Sequence, residues 1–157
     1  MPPIAFFDLS NFEFTRTVFD KEAIRARLPH RYEMEMLDRV IHFDAESQTI
    51  AGIKEVREDE FWVRGHFPGQ PVLPGVLIGE AAGQLSALYY SEMASNDRIL
   101  AFAAADSLKL RGTVVPGEDL LLLGRMLEIK PRATRFQAQG LVDGRIVFEG
   151  IIVGMPL

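Results

Sequence analysis

From position 76 to position 91 the chain is apolar or small at every residue except Glu80 and Gln84, and no further charge appears before Glu92. A surface helix carries a charged face, so a proline-free run of this kind over residues 76–93 predicts a helix buried on most sides, about 27 Å long at ~1.5 Å per residue. Pro74 suits its first helical position. Gly79, Ala82, Gly83 and Ser86 fall at i, i+3, i+4 and i+7 and make a flat stripe that another backbone can approach. The remaining apolar runs are shorter and mostly strand-like. Residues 40–43 and 49–56 read as two strands joined by the polar stretch 44–48. Residues 61–63 read as a short strand. Residues 99–105 read as a central strand continuing towards Leu110, and residues 120–129 as another, ended by Pro131. Residues 134–142 and 145–153 flank Asp143-Gly144, a strong hairpin signal. Asp20 is placed to cap a short helix over residues 21–27 that Pro29 ends. Strands on both sides of one buried helix make an α+β domain.

The candidate chemistry lies at the front of the long helix. Gly65-His66-Phe67-Pro68-Gly69-Gln70-Pro71-Val72-Leu73-Pro74-Gly75 is a Gly/Pro-dense loop holding one histidine, and Glu80 is the one carboxylate in the helix before Glu92. An ionised carboxylate in apolar surroundings costs several kcal/mol unless paired. Glu80 is therefore either a general acid or a side chain at a solvent gap or in a structural hydrogen bond. His66 and Glu80 together supply the residue types of a general base and a general acid. Gly75 would present a first-turn N–H to a developing oxyanion without a side chain in the way, or would simply make the turn into the helix. Gln84, one turn beyond Glu80, either orients the carboxylate or is a satisfied core amide.

These residues carry a resemblance. The loop from Gly65 to Leu77, with Glu80-Ala81 and Gln84, resembles the signature of the FabZ-type 3-hydroxyacyl-[acyl-carrier-protein] dehydratases. Leu28-Pro29-His30-Arg31-Tyr32 with Leu37-Asp38-Arg39-Val40, and Lys109-Leu110-Arg111 with Val114-Val115-Pro116-Gly117-Glu118, resemble the same family. The resemblance runs from about Leu28 to the C-terminus and implies a hot-dog fold, an antiparallel sheet wrapped around one long central helix. It implies dehydration of a (3R)-3-hydroxyacyl chain on acyl carrier protein, with His66 as base, the Gly75 N–H on the thioester oxygen and Glu80 as acid. No metal or organic cofactor is implied. It further implies a homodimer or a trimer of dimers, with His66 of one subunit and Glu80 of the other in each site. Val76, Leu85, Leu88 and Phe102 are candidates to line the acyl tunnel. Lys109, Arg111, Arg132 and Arg135 are candidates to meet the acidic carrier protein, against the plainer reading of ordinary surface charge. His30 takes a structural role in this comparison, and His42 reads as a solvent-facing strand histidine. The sequence departs from the family at Glu33-Met34-Glu35-Met36, where carboxylates would alter the tunnel mouth or the carrier-protein surface. Glutamate at position 80 is more like the plain dehydratases than the dehydratase-isomerases. Two other functions stay open: an acyl thioesterase on the same fold, and a non-catalytic acyl-binding subunit.

Composition narrows the rest. The 157 residues suit one domain over residues 1–157. A net charge of -5 argues against nucleic acid as the main partner. The chain has no cysteine, which excludes disulfides and thiol catalysis and fits a reducing cytoplasm. No apolar run reaches the ~18 residues that a transmembrane helix needs. Residues 1–19, outside the resemblance, lack the pattern of a signal peptide. They carry Phe6, Phe7, Phe12, Phe14 and Phe19, and are expected to pack on the body or on a partner subunit.

Overall fold

The computed structural model describes residues 4–157. The chain opens with a 3-10 turn, Leu9–Asn11, and a short helix α1, Lys21–Arg27. Asp20 caps α1 by accepting from the Ala23 N–H at 2.9 Å, and Arg25 and Arg27 complement its C-terminal end. A second 3-10 turn, Tyr32–Met34, leads to strands β1, Arg39–Asp44, and β2, Thr49–Glu55. The long helix α2, Gly75–Met93, follows, and then β3 (Leu100–Leu110), β4 (Asp119–Ile129), β5 (Thr134–Val142) and β6 (Arg145–Pro156).

The six strands form one antiparallel sheet in the order β1-β2-β4-β5-β6-β3. Asp143 (φ 48°) and Gly144 (φ 77°) both take positive φ, as the tight turn between β5 and β6 requires. One face of the sheet wraps α2. Ile78, Ala81, Ala82, Leu85, Leu88 and Tyr89 of the helix share a core with Ile50, Leu120, Leu122, Met126, Phe136 and Phe148 of the strands. Burying a large apolar side chain of this kind contributes roughly 1.5–3 kcal/mol. This is the hot-dog arrangement.

The outer face carries a second cluster, formed by Ile41, Ala51, Ile53, Leu123, Leu141 and Ile146. Phe6, Phe7, Leu9 and Phe12 of the N-terminal extension cover it. Gln139 fastens the cover, accepting from the Phe6 N–H at 2.9 Å and donating to the Ile4 carbonyl at 3.0 Å. Cover on both faces explains why β4 carries four successive leucines, Leu120 to Leu123, rather than a strict alternation. The extension thus packs on the body of its own chain. Its first three residues, part of the same expectation, lie outside the described residues.

Three expectations need correction. Residues 61–63 are turn, not strand, because their backbone bonds locally: the Val63 N–H donates to Glu60 O, and the Gly65 and His66 N–H groups to Trp62 O. Of residues 99–105, those from Leu100 onwards belong to an edge strand rather than a central one, and Ile99 precedes it. Among the described residues β3 pairs only with β6, and most of its length is exposed. Helix α2 begins at Gly75, so Pro74 is its N-cap and not its first turn.

Candidate active site

The Gly/Pro-dense loop is folded on itself. Phe67 and Gln70 exchange backbone hydrogen bonds of 3.0 and 2.8 Å, and the Leu73 N–H donates to Val114 O, which ties the loop to the body. His66 and Val72 are joined twice. The Val72 N–H donates to His66 O at 2.8 Å, and His66 Nδ1 lies 2.6 Å from Val72 O. A carbonyl only accepts, so Nδ1 carries the proton and the neutral ring keeps its lone pair on Nε2. The loop therefore delivers a half-buried imidazole whose Nε2 is free to accept a proton.

Five residues beyond the helix start is Glu80, in the second turn of α2. The Gln84 amide Nε2 donates to Glu80 Oε1 at 2.9 Å and to Met34 O at 2.7 Å, while Gln84 Oε1 accepts from the Met36 N–H at 3.1 Å. At 2% exposed, Gln84 answers both expectations at once: it is a satisfied core amide, and it holds the carboxylate. His30 Nε2 lies 3.5 Å from the same Glu80 oxygen. Sequence reasoning gave His30 a structural role, and the contact was not readable from a position fifty residues away. The one signal available was a second histidine in the resembling segment.

Glu80, His30, Gly83, Gln84, Ser86 and Phe102 line a small cavity of about 20 Å³. That is room for about one water, far below the ~300 Å³ at which ligand pockets begin. Within one chain no hydrogen bond or ion pair joins His66 to Glu80 among the described residues. Among the described residues no acceptor meets the N–H of Gly75 or Val76, so the helix start keeps its donors free. Gly75 has a further reason to be glycine: a Cβ there would come 2.3 Å from Leu110 Cδ1.

The other assignments divide. Leu85 and Leu88 are fully buried in the core and line none of the cavities described, whereas Phe102 stands beside Glu80 and Val76 is 82% exposed at the helix start. The small stripe on α2 meets the chain's own sheet at Gly83, where a Cβ would lie 2.9 Å from Phe102. Of the basic candidates, Arg111 pairs with Glu149 at 2.5 Å and Arg135 with Asp106 at 3.0 Å, which offsets their charge. Glu35 is turned to α1, accepting from Arg25 Nε at 2.8 Å with Lys21 at 3.8 Å. Burial pushes its carboxyl up, but the Arg25 bond and the two cations bring it below the usual range. His42 does not face solvent. Phe12 stacks on it at 5.1 Å and Thr49 Oγ1 lies 2.8 Å from its Nε2. Among the described residues no group of three or more His, Cys, Asp or Glu could hold a metal, and no helix is long and apolar enough to cross a membrane.

Solved structures share this architecture. A dehydratase heterocomplex, ApeI:P, from Xenorhabdus doucetiae superposes with a TM-score of 0.73 at 16% identity, over 85% of this chain and 90% of that one. A sigma28-regulated virulence protein from Campylobacter jejuni gives 0.64 at 14%, over 92% and 95%. A hypothetical thioesterase with coenzyme A from Streptococcus pneumoniae gives 0.57 at 8%, over 85% and 90%. At these identities the likeness is one of fold, and it spans dehydratase and thioesterase neighbours alike. The family comparison is more specific: residues 28–151 match the FabA-like domain, and the chain belongs to that family of hot-dog proteins.

Proposed function

We propose that this protein dehydrates (3R)-3-hydroxyacyl chains, carried as thioesters on acyl carrier protein, to the trans-2-enoyl thioesters. The observation that carries the reading is the His66–Val72 pair of hydrogen bonds, which commits Nδ1 and leaves Nε2 to take a proton. A thioesterase on the same fold would use such a base on a water, and the products formed from a 3-hydroxyacyl thioester separate the two reactions.

In the reaction His66 Nε2 removes the C2 proton, made acidic by the thioester. The thioester oxygen takes up charge against the free N–H donors at the start of α2, Gly75 first, with Val76 beside it. The C2–H electron pair becomes the C2–C3 double bond as the C3–O bond breaks, and Glu80 supplies the proton that lets hydroxide leave as water. General acid–base assistance is typically worth 10²–10⁴-fold and one oxyanion donor ~10²–10³-fold.

The reading takes a second copy of the chain. The Glu80 cavity is too small for an acyl chain, and β3 has a free edge with Phe102 (44%), Leu108 (42%) and Leu110 (54%) exposed. Pairing of two β3 edges would cover these residues and bring His66 of one copy towards Glu80 of the other, in a dimer or a trimer of dimers. The expected partner outside the assembly is the carrier protein, and the arm that delivers the acyl chain would enter between the copies.

Incubation with a 3-hydroxyacyl thioester tests the reading. Growth of the conjugated enoyl thioester absorbance without release of free thiol supports it. Thiol release without enoyl product makes the protein a thioesterase, and neither product leaves a non-catalytic acyl-binding subunit.

A further inference from the structure

Glu80 Oε1 faces two nitrogens, Gln84 Nε2 at 2.9 Å and His30 Nε2 at 3.5 Å. We propose that His30 is a positioning residue for Glu80: the Gln84 amide donates to Oε1 and the His30 Nε2 approaches the same oxygen, which makes Oε1 the accepting oxygen and leaves the transferable proton on Oε2. This rests on the dehydratase reading and adds to it which oxygen acts.

A carboxylic acid has one oxygen that accepts and one that carries the proton. The Gln84 N–H on Oε1, joined by His30 Nε2 once that contact tightens, decides which is which and stops the carboxyl from rotating to exchange them. The ring of His30 is itself well held. Pro29 precedes it, and Arg31 braces the backbone by donating to Leu28 O (2.8 Å), His30 O (2.7 Å) and Arg25 O (3.1 Å) at the end of α1. His30 Nδ1 is buried with no partner among the described residues, so Glu80 is the ring's polar contact. At 3.5 Å the contact is longer than a hydrogen bond; catalytic hydrogen bonds of this kind commonly tighten when substrate is bound. The two donors arrive from opposite sides of the chain order. Gln84 is on the same helix as Glu80, one turn on, and His30 comes from the segment that the same Gln84 clamps through Met34 and Met36. The acid, its amide and its imidazole form one unit that the fold assembles together.

The test separates acid positioning from general support of the site. The intact protein and the variants His30→Leu and His30→Gln are assayed on a 3-hydroxybutanoyl thioester and on a 3-chlorobutanoyl thioester. Chloride leaves without a proton, so its elimination needs the base and not the acid. His30→Leu is expected to lower kcat on the hydroxy substrate about 10–100-fold with KM within twofold, part of the 10²–10⁴ that general acid–base help supplies, and to leave chloride elimination within about threefold. His30→Gln, which keeps an N–H in reach, is expected to recover most of the loss. Should His30→Leu fail to fold, His30→Asn, polar but too short to reach Oε1, replaces it with the same expected split. Equal losses on both substrates, or no loss on either, would overturn the assignment. A parent protein that releases thiol and no enoyl product would instead overturn the dehydratase reading.

Discussion

Leu110 occupies the space that a side chain on Gly75 would need: a Cβ built at position 75 would lie 2.3 Å from Leu110 Cδ1 and 3.0 Å from Cδ2. The last residue of β3 thus lies over the first residue of α2. The strand edge and the helix start, the two parts from which a shared site would be built, are in register because residue 75 has no side chain.

That contact can be measured. Gly75→Ala is expected to push Leu110 aside at a cost of about 1 kcal/mol, the lower end for overpacking, because Leu110 is half exposed and can turn outward. For a chain of this length the loss is roughly 2–4 °C in Tm. In the double variant with Leu110→Ala the clash has no partner, so the pair should lose no more than Leu110→Ala alone. Thermal unfolding of the four proteins gives the coupling, and simple additivity would show that Leu110 does not fill the space.

Much of this was readable in the chain. The run from 76 to 91 without a charged face gave the buried helix, Asp20 gave the start of α1, and Asp143-Gly144 gave the β5–β6 turn. Errors came where a partner from elsewhere decided. The apolar residues 99–105 suit a central strand, and nothing local says that β3 has a neighbour on one side only. His42 looked solvent-facing because Phe12, thirty residues earlier, covers it. The residue types at 66 and 80 pointed to acid–base chemistry, and Gly75 to an N–H donor for an oxyanion. The fixing of the His66 tautomer by Val72, and the approach of His30 to Glu80, depend on how loops close, which periodicity does not encode.

His66→Ala is expected to lower the rate of enoyl thioester formation at least about 100-fold, the lower bound for losing a general base. Stability should change little, since one part-buried hydrogen bond is worth roughly 0.5–1.5 kcal/mol. The two readouts together are the test. Turnover within tenfold of the parent, in a folded protein, would mean that the base is another group.

Gln84→Leu removes an amide that satisfies Met34 O and the Met36 N–H while also holding Glu80. Leucine fits the volume but leaves those backbone groups without a partner inside the protein. The expected loss is about 1–3 kcal/mol in denaturant unfolding. Turnover should fall as well, because the carboxylate loses its nearest donor. A variant as stable as the parent would show that the 34–36 segment is held by other contacts.

His42 makes the fold sensitive to acid. Burial lowers its pKa below the ordinary histidine value of about 6.5, against the opposing pull of Asp44, with Arg16 adding to the lowering. The folded state therefore prefers the neutral ring, stacked under Phe12 and bonded to Thr49. As pH falls below about 6.5 the unfolded chain takes up a proton at this site before the folded one does, so the contribution present above that pH is lost on acidification. His42→Gln should be less stable than the parent at pH 7.5, having lost the stack, and the gap in Tm should narrow by pH 5.5. Thermal unfolding of both proteins across that range reads the difference directly and cancels the titration of groups they share. A gap that stays constant or widens in acid would show that the ring under Phe12 is protonated at least as readily in the folded chain as in the unfolded one.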